Sequence, residues 1–307
     1  MRENKFFKTL LKGRINPDAL EVEIVPTGSS LKRTELSDAW IEGAWQEFIR
    51  QGNKPWAGDL TPKRYRMVDL VIGQDDRVIL TVDPCVSYHD FIGTQTPAFA
   101  ENFGDDFVSK AIATSILILT SDGKTLVTVR VKKTDYKWGG WHCSIGGFWE
   151  VQKNETPKQA VIRELEEEAG IAENEIDELL LLGAVYNPWT AHPDLVYSAK
   201  TSLTSSEILE RSHDDENALM FVDTTAGSYK NLIVNTAHAS VVVPLAAMLW
   251  VGEELFGQDW ADEINGFLVE ASSGYDDVGT RLKLEKRDLM EFAKTVEHYR
   301  SEFSAAA

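Results

Sequence analysis

Residues 146–171, GGFWEVQKNETPKQAVIRELEEEAGI, carry the clearest local signals in this chain. The second half predicts a helix with defined ends. Thr156 suits the N-cap, Pro157 the first helical position, and Gln159 completes a capping box. Gly170 suits the left-handed position that ends a helix. Apolar residues spaced four apart give the helix a stripe for burial: Val161, Leu165 and Ala169.

Three carboxylates share another face of this helix, because Glu164, Glu167 and Glu168 stand at i, i+3 and i+4. Like charges at this spacing destabilise a helix by about 0.2–0.5 kcal/mol per pair. A cation among them would remove that repulsion, and clustered carboxylate oxygens suit Mg²⁺ or Mn²⁺. The alternative is an acidic helix face that is simply solvated.

The pattern around these glutamates is Arg163-Glu164-Leu165-x-Glu167-Glu168-x-Gly170-Ile171, with Glu155 and a double glycine upstream. It resembles the Nudix box of the Nudix hydrolases. The glycine and the first glutamate are separated by seven residues, two more than is usual in the family. We interpret the difference as an insertion in the loop before the helix. The resemblance implies a Nudix α/β/α sandwich with a mixed sheet.

The resemblance also implies the chemistry of the site. Mg²⁺ (or Mn²⁺) would be held by Glu164, Glu167, Glu168 and the carbonyl of Gly147 or Gly146, and would aim a water at phosphorus. Glu164 is the first candidate for the base, Arg163 would orient Glu167, and Glu155 would anchor the loop. A later loop supplies a base or ligand in many members. Here Glu216 is the choice, with Asp214 and Asp215 behind it, unless that loop is only a solvated acidic turn.

Composition limits the partners and the compartment. The 307 residues carry a net charge of −18, which argues against a general nucleic-acid or acidic-membrane binder. Two cysteines cannot build a disulfide framework, so a cytoplasmic protein is expected. The N-terminal run FFKTLLK is too short and too charged for a signal peptide or a membrane span. We expect a soluble monomer or homodimer.

Periodicity along the chain predicts alternating strands and helices. Helices are expected over 35–50, 205–211, 236–256 and 285–303, and strands over 20–25, 65–71, 77–82, 111–120, 125–131, 179–186, 194–201 and 218–223. The segment 85–95 is polar and aromatic without a clean period, so we expect a structured loop. Three parts follow: an N-terminal α+β subdomain (1–105), a Nudix domain (106–270) and a C-terminal helical segment (271–307).

The N-terminal part carries a second resemblance. An AWIEGAW helix, the run Pro62-Lys63-Arg64-Tyr65-Arg66 and the segment SYHDFIGT (residues 87–94) stand in that order. They resemble the UDP-glucose/UDP-galactose pyrophosphatase branch of the Nudix family, in which a similar segment has arginine where His89 stands. The branch implies that this segment binds the nucleotide. The residues expected there are Tyr88 or Phe91 as a stacking platform, Asp90 fixing the loop or a ribose hydroxyl, Thr94, and Arg130 on the diphosphate.

Several functions fit these observations. The first is Mg²⁺-dependent hydrolysis of a nucleotide-sugar, UDP-glucose or UDP-galactose, to UMP and a sugar 1-phosphate. The second is hydrolysis of ADP-ribose or another nucleoside diphosphate derivative. A non-catalytic nucleotide sensor is the third, although the intact glutamates argue against it. An isopentenyl diphosphate isomerase shares the fold and needs a catalytic cysteine, for which Cys143 is the candidate.

Overall fold

Two β-sheets organise the chain. The computed structural model describes residues 4–53, 58–73, 77–130, 141–142, 145–211, 217–240 and 242–275, with only the backbone of Arg130, Trp141, His142 and Asn217. The strands are β1 (Lys8–Ile15), β2 (Leu20–Ile24), β3 (Arg64–Ile72), β4 (Val78–Val86), β5 (Ala113–Leu119), β6 (Lys124–Arg130), β7 (Trp141–His142), β8 (Ile145–Phe148), β9 (Ile176–Asn187), β10 (His192–Thr201) and β11 (Asn217–Asp223). The helices are α1 (Glu35–Arg50), α2 (Tyr88–Thr94), α3 (Pro97–Phe103), α4 (Pro157–Ala169), α5 (Ser205–Arg211), α6 (Ala226–Thr236), α7 (Val242–Phe256) and α8 (Gln258–Ala271).

The larger sheet is mixed and splits in its middle. Its strands run in the order β1-β9-β10-β5-β6-β11, and only the β10–β5 pair is parallel. β5 and β6 pair at Leu119 and Thr125, and beyond that point β8 pairs with β5 and β7 with β6. The split sets the double glycine of β8 against β5, directly ahead of the loop that leads to α4.

Helices cover both faces of this sheet. Side chains alternate along each strand, so on β5 Leu117 packs on one side while Ile116 and Ile118 pack on the other. The first side is covered by α6, α7 and α8. The second is covered by α4 and α5, together with the smaller sheet. The predicted α/β/α sandwich with a mixed sheet is therefore confirmed.

The first hundred residues contribute to both sheets. β1 is an edge strand of the larger sheet, antiparallel to β9. The smaller sheet has the order β2-β4-β3, and its buried face joins the same core as α4. Trp45 and Phe48 of α1 pack with Tyr88, Phe91 and Ile92 of α2 in a separate cluster. α2 is thereby held against α1, and Phe148 of β8 packs against the same cluster.

Most predicted elements are confirmed within a few residues of their ends, including α1, α5 and the strands around both hairpins. Two expectations were wrong. The segment 85–95 is not a loop, because Ser87 and Asp90 form a capping box that starts α2. The helix expected over 236–256 starts later, at Val242, and ends at Phe256 as expected, because α6 ends at Thr236 and Ala237–Ala239 form a separate 3-10 turn. Pro244 in the first turn of α7 explains the break, because a proline deeper in one helix would remove an interior hydrogen bond.

Neither the C-terminal helix expected over 285–303 nor Cys143 lies within the described residues. Among the helices that are described, none is both long enough and apolar enough to cross a membrane.

Candidate functional site

The helix α4 has the ends that the sequence predicts. The Thr156 hydroxyl accepts from the Gln159 amide at 3.2 Å, and the Gln159 side chain accepts from the Thr156 amide at 2.8 Å. Gly170 takes the left-handed conformation with φ of 64°. The predicted stripe is buried, with Val161, Leu165 and Ala169 all at 0% exposure. The glutamates lie on the other sides of the helix, with Glu167 exposed, Glu168 half-buried and the Glu164 side chain only 14% exposed.

Arg163 joins the carboxylates into one network. Its guanidinium donates to both oxygens of Glu155, at 3.1 and 2.9 Å. One Nη also donates to Glu164 Oε1 at 2.8 Å and to Glu167 Oε2 at 3.0 Å. Hydrogen bonds to Glu155, despite burial, raise the pKa of Arg163, with Glu164 adding to the effect. Glu155 thus ties the loop before α4 to the helix, as expected from the sequence.

Glu164 lies against the double glycine of β8. Gly147 pairs with Thr114 of β5, and a Cβ added at Gly147 would stand 2.4 Å from Glu164 Oε1. A Cβ at Gly146 would meet the Thr114 carbonyl at 2.1 Å. Gly146 therefore requires glycine, because the clash is with backbone, whereas a side chain at Gly147 would displace the Glu164 carboxylate. Burial raises the pKa of Glu164, although the charge of Arg163 opposes the shift.

The donor chemistry at this helix fits a hard divalent cation. Glu164, Glu167 and the half-buried Glu168 offer carboxylate oxygens from one helix, and the Gly147 carbonyl lies nearby on a backbone without a side chain. In the part of the chain that is described, however, no three acidic, histidine or cysteine side chains stand close enough together to hold an ion. The Nη of Arg163 lies between Glu164 and Glu167. A cation shared by these two carboxylates would replace that contact and leave Arg163 on Glu155.

The α2 residues expected to bind the nucleotide are mostly buried in protein contacts. Tyr88 is 9% exposed and Phe91 and Thr94 are 0% exposed. Tyr88 packs edge-on against Trp45 and Phe48, and the Thr94 hydroxyl accepts from the Ser109 amide at 3.1 Å. Of the two contacts expected for Asp90, the structure contains the one that fixes the segment. Its carboxylate accepts from the Ser87 amide at 2.9 Å and pairs with Arg33.

α2 nevertheless contacts the residue that follows the double glycine of β8. The Phe91 ring lies 4.8 Å from the ring of Phe148, which directly follows Gly147 on β8. The guanidinium of Arg64 lies 4.9 Å from the ring centroids of both Tyr88 and Phe148. A cation is thus held between an aromatic ring of α2 and one beside the double glycine. Arg64 directly precedes the strand predicted over 65–71, and no local pattern in the sequence indicates this contact.

A buried histidine and aspartate adjoin the same two phenylalanines. His192 Nε2 lies 3.2 Å from Asp194 Oδ2, and the imidazole packs edge-on against Phe91 and Phe148. Burial alone would lower the pKa of His192, but the charge and hydrogen bond of Asp194 outweigh burial and raise it. Sequence analysis placed His192 in a loop before β10, and no local pattern distinguishes it.

Two expected site residues lie outside what is described. The Arg130 side chain and all of Glu216 belong to the omitted residues. The backbone register of β6 and β11 pairs Arg130 with Asn217, the residue after Glu216. The topology thus brings the two segments together, and the roles of both side chains stay predictions.

With this geometry in hand, comparison with known proteins is direct. The NUDIX domain family model matches residues 109–225. The match includes β5 to β11 and the whole of α4. No curated protein matches the chain.

Solved structures give weak likenesses. Tm1382, a candidate Nudix hydrolase, is 15% identical with a TM-score of 0.30, and the match covers 41% of this chain and 62% of that one. The chain thus spans less than two thirds of the length of Tm1382. The NUDIX domain of NrtR from Shewanella oneidensis, solved with ADP ribose, is 17% identical with a TM-score of 0.29, covering 36% and 71%. A mutT/nudix family protein from Listeria innocua is 25% identical with a TM-score of 0.27, covering 36% and 76%. TM-scores of this size carry no conclusion about substrate.

Proposed function

We propose that the protein hydrolyses a nucleoside diphosphate linked to another group, with UDP-glucose or UDP-galactose as substrate and UMP and a sugar 1-phosphate as products. The single observation that supports this is the network of Glu155, Arg163, Glu164 and Glu167 on a helix that packs against the double glycine of a Nudix domain. Carboxylates concentrated in this way can hold a divalent cation, which would neutralise the negative charge that develops on phosphate oxygens.

In this proposal Glu164, Glu167, Glu168 and the Gly147 carbonyl would hold Mg²⁺ (or Mn²⁺). The bound ion would neutralise phosphate charge and make water more nucleophilic. Arg163 orients the carboxylates through its contacts with Glu164 and Glu167, while Glu155 fixes Arg163 from the loop side. Glu164 accepts the proton of the attacking water.

Arg64 is proposed to contact the diphosphate. Its guanidinium is held 4.9 Å from the ring centroids of both Tyr88 and Phe148, and Phe148 directly follows Gly147 on β8, so the cation is positioned before substrate arrives. The burial of Tyr88, Phe91 and Thr94 favours a positioning role for α2 over direct stacking on the base. Arg130 remains a proposed second diphosphate contact.

ADP-ribose or another nucleoside diphosphate derivative is the second candidate. The same burial of α2 supports it, because the residues that carry the resemblance to the UDP-sugar branch are occupied by protein contacts. The glutamate network would act on any such diphosphate, whichever base or sugar is attached. Base preference therefore separates the two candidates.

The test is hydrolysis of UDP-glucose, UDP-galactose, ADP-ribose and diadenosine polyphosphates with Mg²⁺. Glu167→Gln is compared with Glu166→Gln, an exposed neighbour on the same helix. UDP-sugar turnover that is lost in Glu167→Gln and kept in Glu166→Gln is the expected result. A preference for an adenine substrate would refute the uridine assignment and keep the metal helix. Tight nucleotide binding with no turnover would refute hydrolysis and favour a sensor.

A further inference from the structure

A cavity separate from the glutamate site lies on the solvent side of the smaller sheet, in the N-terminal region. Its volume is about 500 Å³, and its lining includes Ser30, Lys32, Arg66, Asp106 and Lys110. None of these residues belongs to α4 or to β8. The cavity is large enough for a small phosphorylated molecule, and three of its lining side chains are cationic in a protein of net charge −18.

The floor of this cavity is a buried arginine with spare donors. Arg66 is 3% exposed and donates from Nε to the Val108 carbonyl at 3.1 Å, from one Nη to Ser30 Oγ at 3.2 Å and from the other to the Asp106 carbonyl at 3.4 Å. These bonds use three of the five guanidinium N–H groups, and all three acceptors are neutral oxygens. Across the described ranges, no acceptor is found for the other two. Burial lowers the pKa of Arg66, although the charges of Asp105, Asp83 and Asp106 oppose the shift.

The nearest buried carboxylate is already satisfied. Asp83 accepts from the Gly28 amide at 2.8 Å, from the Ser30 amide at 2.9 Å and from the Ser30 hydroxyl at 2.8 Å. It therefore fixes the turn that presents Ser30 to Arg66, and it stands one hydroxyl away from the guanidinium. A buried guanidinium whose direct acceptors are neutral favours an anion as its missing partner.

Two lysines complete the cationic lining at the rim. Lys32 pairs with Asp106 at 2.6 Å, and Lys110 pairs with Asp105. Both carboxylates are more than 60% exposed, so an entering anion can replace them without leaving a buried charge alone. Lys110 has φ of 45°, a conformation that a lysine seldom adopts, and its carbonyl accepts from the Met67 amide at 3.1 Å. The three cations and two carboxylates leave the lining with one net positive charge.

We propose that this cavity binds a phosphate group, either inorganic phosphate or a phosphate monoester, with the Arg66 fork at the floor and the ammonium groups of Lys32 and Lys110 at the rim. A planar guanidinium with two free N–H groups matches two phosphate oxygens. The site is separate from the glutamate network, and the proposal does not rest on the proposed hydrolase activity.

The experiment is calorimetric titration of the full chain with inorganic phosphate, UMP and glucose 1-phosphate. Excess EDTA removes divalent cations, so that the glutamates of α4 cannot recruit phosphate through a metal. Parallel ¹⁵N–¹H spectra report which amides shift. We expect one saturable site, with shifts at Ser29, Ser30 and Lys110. The relative affinities of inorganic phosphate and the two esters identify the source of the phosphate group.

Three variants locate the site. Lys32→Gln with Lys110→Gln should weaken binding at least tenfold without unfolding the chain, because the carboxylates that pair with these lysines, Asp106 and Asp105, are more than 60% exposed and stay solvated. Arg66→Lys keeps the charge and loses the fork, so it should weaken binding as well. Lys230→Gln is the matched control, an exposed lysine paired with Glu263, and should leave the affinity unchanged. No saturable binding of any probe would overturn the proposal, and so would binding that the lysine double variant leaves intact.

Discussion

Helices α4 and α2 both begin with a capping box, but they differ in how many of their polar side chains remain accessible. Each starts at a capping box, Thr156 with Gln159 and Ser87 with Asp90. α4 buries one apolar stripe and keeps Glu164 and Glu167 in the Arg163 network, where Glu167 is exposed. α2 buries nearly every side chain after its cap, from Tyr88 to Thr94. The difference shows that residue types common in binding and catalytic sites can contact a ligand only where packing does not bury their side chains.

The largest expected effect is at α2. Phe91→Ala removes a fully buried ring that contacts Phe148 and His192, so the free energy of unfolding should fall by about 3–5 kcal/mol. Urea unfolding followed by far-UV circular dichroism measures it. Leu36→Ala on α1 is the control, because Leu36 is 76% exposed, and its loss should stay below about 0.5 kcal/mol. A loss under about 1 kcal/mol for Phe91→Ala would mean that α2 is not a packed element.

The same contrast explains how far sequence alone could go. The N-cap, the C-cap and the buried stripe of α4 each depend on residues that are close neighbours in the sequence. All three features were predicted. α2 has only seven residues and no period to detect, so its helix depends on burial against Trp45 and Phe48 of α1. The contact of Arg64 with Tyr88 and Phe148 joins three distant segments. No pattern within a window of residues contains such information.

A smaller and pH-dependent effect is expected at the cap of α2. Burial would raise the pKa of Asp90, but hydrogen bonds from His89 and Ser87 and the charge of Arg33 outweigh burial and lower it. Asp90→Asn should therefore cost about 2 kcal/mol of unfolding free energy near pH 7, the range for hydrogen bonds to a charged group. The unfolded chain binds this proton more readily than the folded one. The stabilisation is thus complete above the unfolded pKa of about 4 and is lost as pH falls through the lower folded pKa.

Urea unfolding of Asp90→Asn and the parent chain from pH 7 to pH 3 tests the sign. The difference between the two should shrink towards the acid end. Ile41→Val provides the control, since it trims a buried side chain of α1 that does not titrate, and its cost should hardly vary with pH. A difference for Asp90→Asn that grows on acidification would contradict the assigned direction of the pKa shift.

The smallest expected effect on stability is at the floor of the α4 site. A Cβ at Gly147 would stand 2.4 Å from Glu164 Oε1 and 2.8 Å from its Cδ, the movable end of a side chain. Gly147→Ala should therefore cost less than about 1 kcal/mol of unfolding free energy, because Glu164 can turn away. Turning away breaks its 2.8 Å contact with Arg163, and a displacement of about 1 Å can cost 10²-fold in rate. We expect kcat to fall by about that factor on whichever diphosphate the parent chain cleaves.

Gly43→Ala is the matched glycine control. Gly43 lies inside α1 with no atom within 4 Å of an added Cβ, so alanine should stabilise the helix by about 0.5–1 kcal/mol and leave kcat unchanged. Thermal unfolding and steady-state kinetics on both variants separate folding from function. An unchanged kcat in Gly147→Ala would show that the position of Glu164 does not matter for turnover. A fall in stability as large as that of Phe91→Ala would show that α4, like α2, is held mainly by packing, and the contrast between the two helices would no longer stand.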